Sequence, residues 1–164
     1  MIALALSLAL VATPTAAVAP PGTDARTEDE RNTMSVFEAV APAVVFVTQS
    51  RVVRDWSMRP TRLPSGSGTG FAWDAAGHVV TNYHVIQGAS SARVVMHDQT
   101  SHMALWVGGS PRHDLAVLKI DTAADTLSQV TIGDSDRLRV GQSVYAIGNP
   151  FGLNATLTTG IVSA

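Results

Sequence analysis

No cysteine occurs anywhere in the 164 residues. That excludes disulfides, thiolate catalysis and Cys-ligated zinc within the chain, while fitting any redox compartment. Charge is scarce too. Only 15% of residues are charged, the net charge is −2, and Lys119 is the sole lysine. This is not the basic footprint of a nucleic-acid binder. Arg51, Arg54, Arg59 and Arg62 crowd around Trp56. No helix or Gly-rich turn organises them, so they read as a solvated loop, with an anion-binding patch as the alternative. Long apolar runs are missing as well. The longest, residues 2–12, falls short of the about 20 residues that span a bilayer, so no stable membrane span is expected. The five histidines (His78, His84, His97, His102, His113) make no His-Glu-x-x-His set, and no metal site is expected. Ser65-Gly66-Ser67-Gly68-Thr69-Gly70 lacks both the G-x-G-x-x-G spacing and a P-loop lysine. It cradles no phosphate, and its small residues suit a close approach of two backbones. No cofactor is implied, and no internal repeat stands out.

What is present begins with an address. Residues 2–12 have the length of a signal-peptide apolar region, and the small residues Thr15-Ala16-Ala17 and Ala17-Val18-Ala19 follow. Pro20 disfavours the second cleavage site, so a mature chain is expected to begin near Val18. No basic residue precedes Arg26. Hence either a start lies upstream or this is the later part of a bipartite targeting sequence; an Ala-rich disordered leader is the alternative. The expected organisation is a leader over 1–19, a polar linker over 20–32, and a folded region over 33–164. In that last region a short helix comes first, capped by Ser35 and Glu38 and stopped by Pro42.

From residue 43 the pattern turns to β. Strands are expected over 44–48, 71–73, 78–81, 92–96, 103–107, 115–120 and 143–147, with turns at Asp74-Ala75-Ala76-Gly77, His97-Asp98-Gln99-Thr100 and Gly108-Gly109-Ser110-Pro111. Short strands at close spacing without a long helical period argue for an all-β, antiparallel barrel of six or seven strands, running to about residue 150. Residues 156–163 read as one more strand.

Two polar residues sit at the edges of apolar strands, thirty positions apart: His84 after Val79-Val80-Thr81-Asn82-Tyr83, and Asp114 before Leu115-Ala116-Val117-Leu118. A histidine takes a serine's proton when a carboxylate holds its other ring nitrogen. Asp114 suits that role, with its backbone anchored to a core strand and a buried-looking carboxylate at the barrel rim. Alone, either residue is bland, since aspartates before strands commonly form turns. Together they are two members of a Ser-His-Asp set, which predicts side chains meeting at roughly 2.6–3.2 Å. Gly109-Ser110-Pro111 is not the third, because no glycine follows the serine at the offset of a nucleophile elbow.

Four motifs then occur in order: Gly66-Ser67-Gly68-Thr69-Gly70-Phe71, Gly77-His78-Val79-Val80-Thr81-Asn82-Tyr83-His84-Val85-Ile86, His113-Asp114-Leu115-Ala116-Val117-Leu118, and Ala146-Ile147-Gly148-Asn149-Pro150-Phe151-Gly152-Leu153. Over residues 33–164 the chain resembles the Deg/HtrA (DegP-like) family of trypsin-like serine endopeptidases. Phe71-Ala72-Trp73-Asp74 and Thr156-Leu157-Thr158-Thr159-Gly160 are closest in wording to its plastid branch. The resemblance implies a trypsin-like double barrel, the second barrel starting at about 151, with His84 as general base and Asp114 as its orienter. It implies a nucleophilic serine in a Gly-rich turn after Ala164, so that the chain as written would be an inactive fragment. It further implies unfolded or damaged polypeptides as substrates, a trimer-based homo-oligomer, PDZ domains in many members, and an extracytoplasmic location. The thylakoid lumen fits best, with the bacterial periplasm as the alternative. The rival readings are a polypeptide-binding scaffold without catalysis, or an inactive partner subunit, and a ligand-binding barrel. The retained His84–Asp114 pair argues against the scaffold.

Overall fold

A computed structural model describes residues 26–54, 56–123 and 127–164. The leader expected over 1–19 and the first part of the linker lie outside the described residues.

The helix α1 spans Glu28–Val40, so it starts inside the expected linker and earlier than the Ser35–Glu38 cap would place it. The working capping box is Thr27 with Glu30: the Glu30 N–H donates to Thr27 Oγ1 at 3.2 Å, and the Thr27 N–H donates to the Glu30 carboxylate at 2.7 Å. The sequence contains both boxes. The earlier one prevails because Glu28, Asp29 and Glu30 then fill the first turn, where the helix dipole favours negative charge. Pro42 does end the helix, in a 3-10 turn over Ala41–Ala43.

Six strands close a barrel: β1 (Val44–Arg54), β2 (Pro60–Ala72), β3 (His78–Thr81), β4 (Ser91–Val95), β5 (Ser101–Ser110) and β6 (Leu115–Ile120). Their order around the barrel is β1-β2-β3-β6-β5-β4, every pair antiparallel. Alternation along each strand decides what faces inward. β6 points Ala116, Leu118 and Ile120 into the core, β3 points Val79, and β4 points Ala92 and Val94. Val45 and Val47 of β1 complete a filled interior. Full burial of one such side chain is worth about 1.5–3 kcal/mol, so this inner face holds the barrel and the polar rim is free to carry chemistry.

Three expectations shift. Most of the arginine stretch is a strand ladder: β1 and β2 stay paired out to Arg54 and Pro60, past an irregularity at Gln49/Ser50, so that Arg51, Arg54 and Arg62 lie on strands while Trp56 and Arg59 stay in the connecting loop. The β-branched Val52 and Val53 between Arg51 and Arg54 support that extension, and all four arginines are exposed. β5 runs through Gly108 and Gly109 to Ser110, with a register shift between Trp106 and Gly108, so the turn moves to a 3-10 segment over Pro111–His113. Glycine absorbs the bulge, and at Gly109 a Cβ would lie 2.5 Å from the Trp106 ring. Finally β7 (Ser143–Gly148) does not join the barrel. It pairs antiparallel with β8 (Thr156–Ile161) in a separate two-stranded sheet. A cleft of about 620 Å³ opens among α1, the outer side of β1–β3 and β7, lined by Val36, Val40, Phe71, Val80, Leu115 and Tyr145, among others. Among the described residues no helix is long and apolar enough to cross a membrane.

Candidate active site

His84 stands on a single helical turn, α2 (Tyr83–Ile86), set down directly after β3. Val85 and Ile86 of that turn are buried in the core. Helical geometry then sends the preceding histidine outward to the rim. Gly68 makes the seating possible, since a Cβ there would lie 2.5 Å from Val85 Cγ2. The close approach expected of the glycine run is therefore what seats the turn that bears His84.

Asp114 follows the Pro111–His113 turn with φ 52° and ψ 41°, a left-handed conformation that Asp tolerates better than most residues. Beyond it Ala116 is fully buried in β6, which anchors the turn. The left-handed kink turns both the carbonyl and the carboxylate of Asp114 toward residues 82–84. The His84 N–H donates to Asp114 Oδ1 at 2.9 Å, and His84 Nδ1 lies 2.6 Å from Asp114 Oδ2. The Tyr83 N–H donates to the Asp114 carbonyl at 3.1 Å. Thus the structure brings both sequence-predicted residues together.

The electrostatics fix the tautomer. The His84 N–H is the largest influence holding Asp114 below the ordinary carboxylate range; partial desolvation opposes it, and the His84 ring and the Asn82 amide add to the lowering. An ionised carboxylate only accepts, so Nδ1 must carry the proton. The neutral ring then presents Nε2 as its acceptor nitrogen, the arrangement a general base needs. One expectation fails here. Asp114 is not buried: its side chain is 44% exposed and that of His84 67%. Its place in a turn before the strand, and not within it, leaves it at the open rim.

Two other histidine pairs share part of this chemistry. His78 Nδ1 lies 2.7 Å from Asp74 Oδ2, and the His78 N–H donates to Asp74 Oδ1 at 3.0 Å. These residues are four apart and brace the β2–β3 turn, at the end of β3 away from His84. Ser110 Oγ lies 2.7 Å from His113 Nδ1, within one turn. Among the described residues no carboxylate is bonded to His113, so this pair has no orienter. His97 and His102 flank the β4–β5 turn, as the sequence suggests, and His102 Nδ1 lies 3.1 Å from the Asp121 carbonyl. No group of three metal-ligating side chains converges among the described residues.

Sequence reasoning passed over four supporting residues. Thr81 Oγ1 donates to the Thr69 carbonyl at 2.8 Å, and the Asn149 N–H donates to Thr69 Oγ1 at 2.9 Å. Asn82 Nδ2 donates to the Asp114 carbonyl and to Oδ2, each at 3.2 Å. The only signal was position: a polar residue two before a candidate base needs a reason.

The family described as "Trypsin-like peptidase domain" matches residues 68–164. Protease Do-like 1, chloroplastic, of Arabidopsis thaliana is 48% identical over 136 residues, covering 82% of this chain and 31% of that protein. A probable periplasmic serine endoprotease DegP-like of Chlamydia trachomatis serovar D is 46% identical over 106 residues, covering 65% of this chain and 21% of that protein. Among solved structures, an HtrA-type protease AlgW with decapeptide superposes with a TM-score of 0.69 at 35% identity, covering 80% of this chain and 45% of that one. The chain spans about a third or less of the length of these curated relatives.

Proposed function

This chain belongs to the trypsin-like peptidases of the Deg/HtrA type, and from that premise we propose that it carries the base-and-orienter half of a serine endopeptidase site. The observation that supports this most is the two-point grip of Asp114 on His84, ring nitrogen and backbone N–H together. His84 Nε2 takes the proton of a serine hydroxyl as that oxygen attacks a peptide carbonyl, then returns a proton to the leaving amine. Asp114 keeps Nδ1 protonated and stabilises the imidazolium that forms in between.

Among the described residues no serine hydroxyl is bonded to His84. On this reading the nucleophile, the oxyanion-hole donors and most of the substrate pocket are supplied by the rest of a longer protein, in keeping with relatives of which the chain spans a third or less, and β7–β8 begin its second barrel. The substrates are unfolded or damaged polypeptides, in keeping with a similar HtrA-type protease solved with a decapeptide. The assembly is a homo-oligomer, and the location is extracytoplasmic or organellar, in keeping with relatives named chloroplastic and periplasmic.

The test compares the purified 164-residue chain with a longer protein carrying the expected serine, both against an unfolded casein-type substrate. The longer form should cleave, its His84→Ala variant should not, and the short chain should be inactive. Cleavage by the short chain that vanishes with His84→Ala would relocate the chemistry and overturn the proposal.

A further inference from the structure

Asn82 occupies the N-cap of α2, a position where asparagine normally turns its side chain back onto its own helix. Here it makes no such bond. The helix is capped from elsewhere: Asp114 Oδ1 takes the His84 N–H, and the Asp114 carbonyl takes the Tyr83 N–H. The Asn82 amide is released from capping and spans 32 residues of sequence to reach Asp114. Both atoms it meets are pure acceptors, a carbonyl and an ionised carboxylate, so only the NH₂ end can face them.

We infer that Asn82 is a positioning residue, whose amide clamps the Asp114 carboxylate to its own carbonyl and so holds Oδ2 in line with His84 Nδ1. Oδ2 is the oxygen that receives the ring proton at 2.6 Å, and Asn82 is its second donor. Without that donor Oδ2 is held by the ring alone, and the carboxylate can pivot about its remaining Oδ1 anchor on the His84 N–H, taking Oδ2 out of line with Nδ1. Asn82 is itself fixed. Its backbone continues from Thr81, which is nearly fully buried and bonded to the Thr69 carbonyl, and Thr69 is bonded in turn by the Asn149 N–H. The clamp is thus tied to β2 and to the loop after β7. The inference deepens the protease reading of His84 and Asp114 and rests on it for its catalytic meaning, though not for its geometry.

The experiment uses Asn82→Ala and Asn82→Asp in the 164-residue chain, with circular dichroism for the fold. The second variant keeps size and capping ability while replacing the donor with an acceptor. Nitrogen-15 shifts of the His84 ring and the carbon-13 titration of the Asp114 carboxyl are read together. In both variants the Asp114 titration should move to higher pH, and the ring should lose its single Nδ1–H tautomer for a mixture. A purely structural role would change melting and leave both signals in place. Unchanged signals in a folded variant overturn the inference, whichever variant folds. In the longer protein, Asn82→Ala should lower kcat by about ten- to a hundredfold with KM little changed, the scale of one hydrogen bond to a charged group. Shifted spectra in a protein that His84→Ala leaves fully active would keep the clamp and remove the protease reading. Normal spectra with His84-dependent activity would do the reverse.

Discussion

The Asp114 carboxylate accepts from three donors at once: the His84 N–H, the His84 ring and the Asn82 amide. An amide in its place has one acceptor oxygen and one NH₂, so at least one of those donors must then face another donor. Asp114→Asn should therefore keep the barrel, whose core lies elsewhere, while flipping the ring to the tautomer with Nε2 protonated. In a longer protein bearing the serine, turnover should fall on the order of 10⁴-fold, the scale set by the corresponding change in the Ser-His-Asp template. Near-normal turnover measured by steady-state kinetics would show that Asp114 is not the orienter. At this scale the sequence was legible for residues whose type announces chemistry and whose neighbours are apolar strands, which is why His84 and Asp114 stood out. Asn82 did not, because its meaning depends on a left-handed kink at a residue 32 positions away.

Among the elements, α2 is the most dependent on its surroundings. A four-residue helix has no stability of its own. It exists because Val85 and Ile86 are buried beneath it and because Asp114 caps it from outside. Gly68 is the third requirement, and it invites a specific test. Gly68→Ala places a methyl against Val85 and should destabilise by about 1–3 kcal/mol, the usual cost of overpacking. Val85→Ala in the same chain should recover much of that loss, so urea melts of the two single variants and the double should be clearly non-additive. Strict additivity would mean the two side chains do not meet. The sequence revealed β3 and β6 to the residue, since each is a short apolar run bounded by turn formers. It misplaced the start of α1 and the reach of β1, β2 and β5. Two equivalent capping boxes compete in α1, and four arginines within twelve residues look like a loop until a partner strand is known.

Across the whole molecule, three turns are fastened by carboxylates of the same kind. Asp74 holds the β2–β3 turn chiefly through the His78 N–H, Asp98 the β4–β5 turn chiefly through the Thr100 hydroxyl, and Asp114 the turn before β6 through the His84 N–H. All three acids are held below the ordinary aspartate range by those hydrogen bonds. The barrel had been expected to run to about residue 150. Hydrophobic alternation marks Ser143–Gly148 as a strand but carries no information about its partner, and the partner proved to be β8. The six-stranded closure therefore ends at Ile120, and two of the three fastened turns, at Asp98 and Asp114, lie on the chain that runs from β3 to its barrel neighbour β6. A group whose folded pKa is depressed binds fewer protons folded than unfolded. Its stabilisation is complete above the unfolded value and is lost as pH falls through the folded one. Urea midpoints should therefore be flat on the alkaline side of the ordinary aspartate range and fall steadily below it. Asp74→Asn, Asp98→Asn and Asp114→Asn combined should lower the plateau and flatten the acid slope, because the amides do not titrate. All three groups are solvent-accessible, so each contribution is small and the effect is expected from the set. An acid slope unchanged in the triple variant would place the origin of acid unfolding in other carboxylates, with the acidic first turn of α1 as the next segment to substitute.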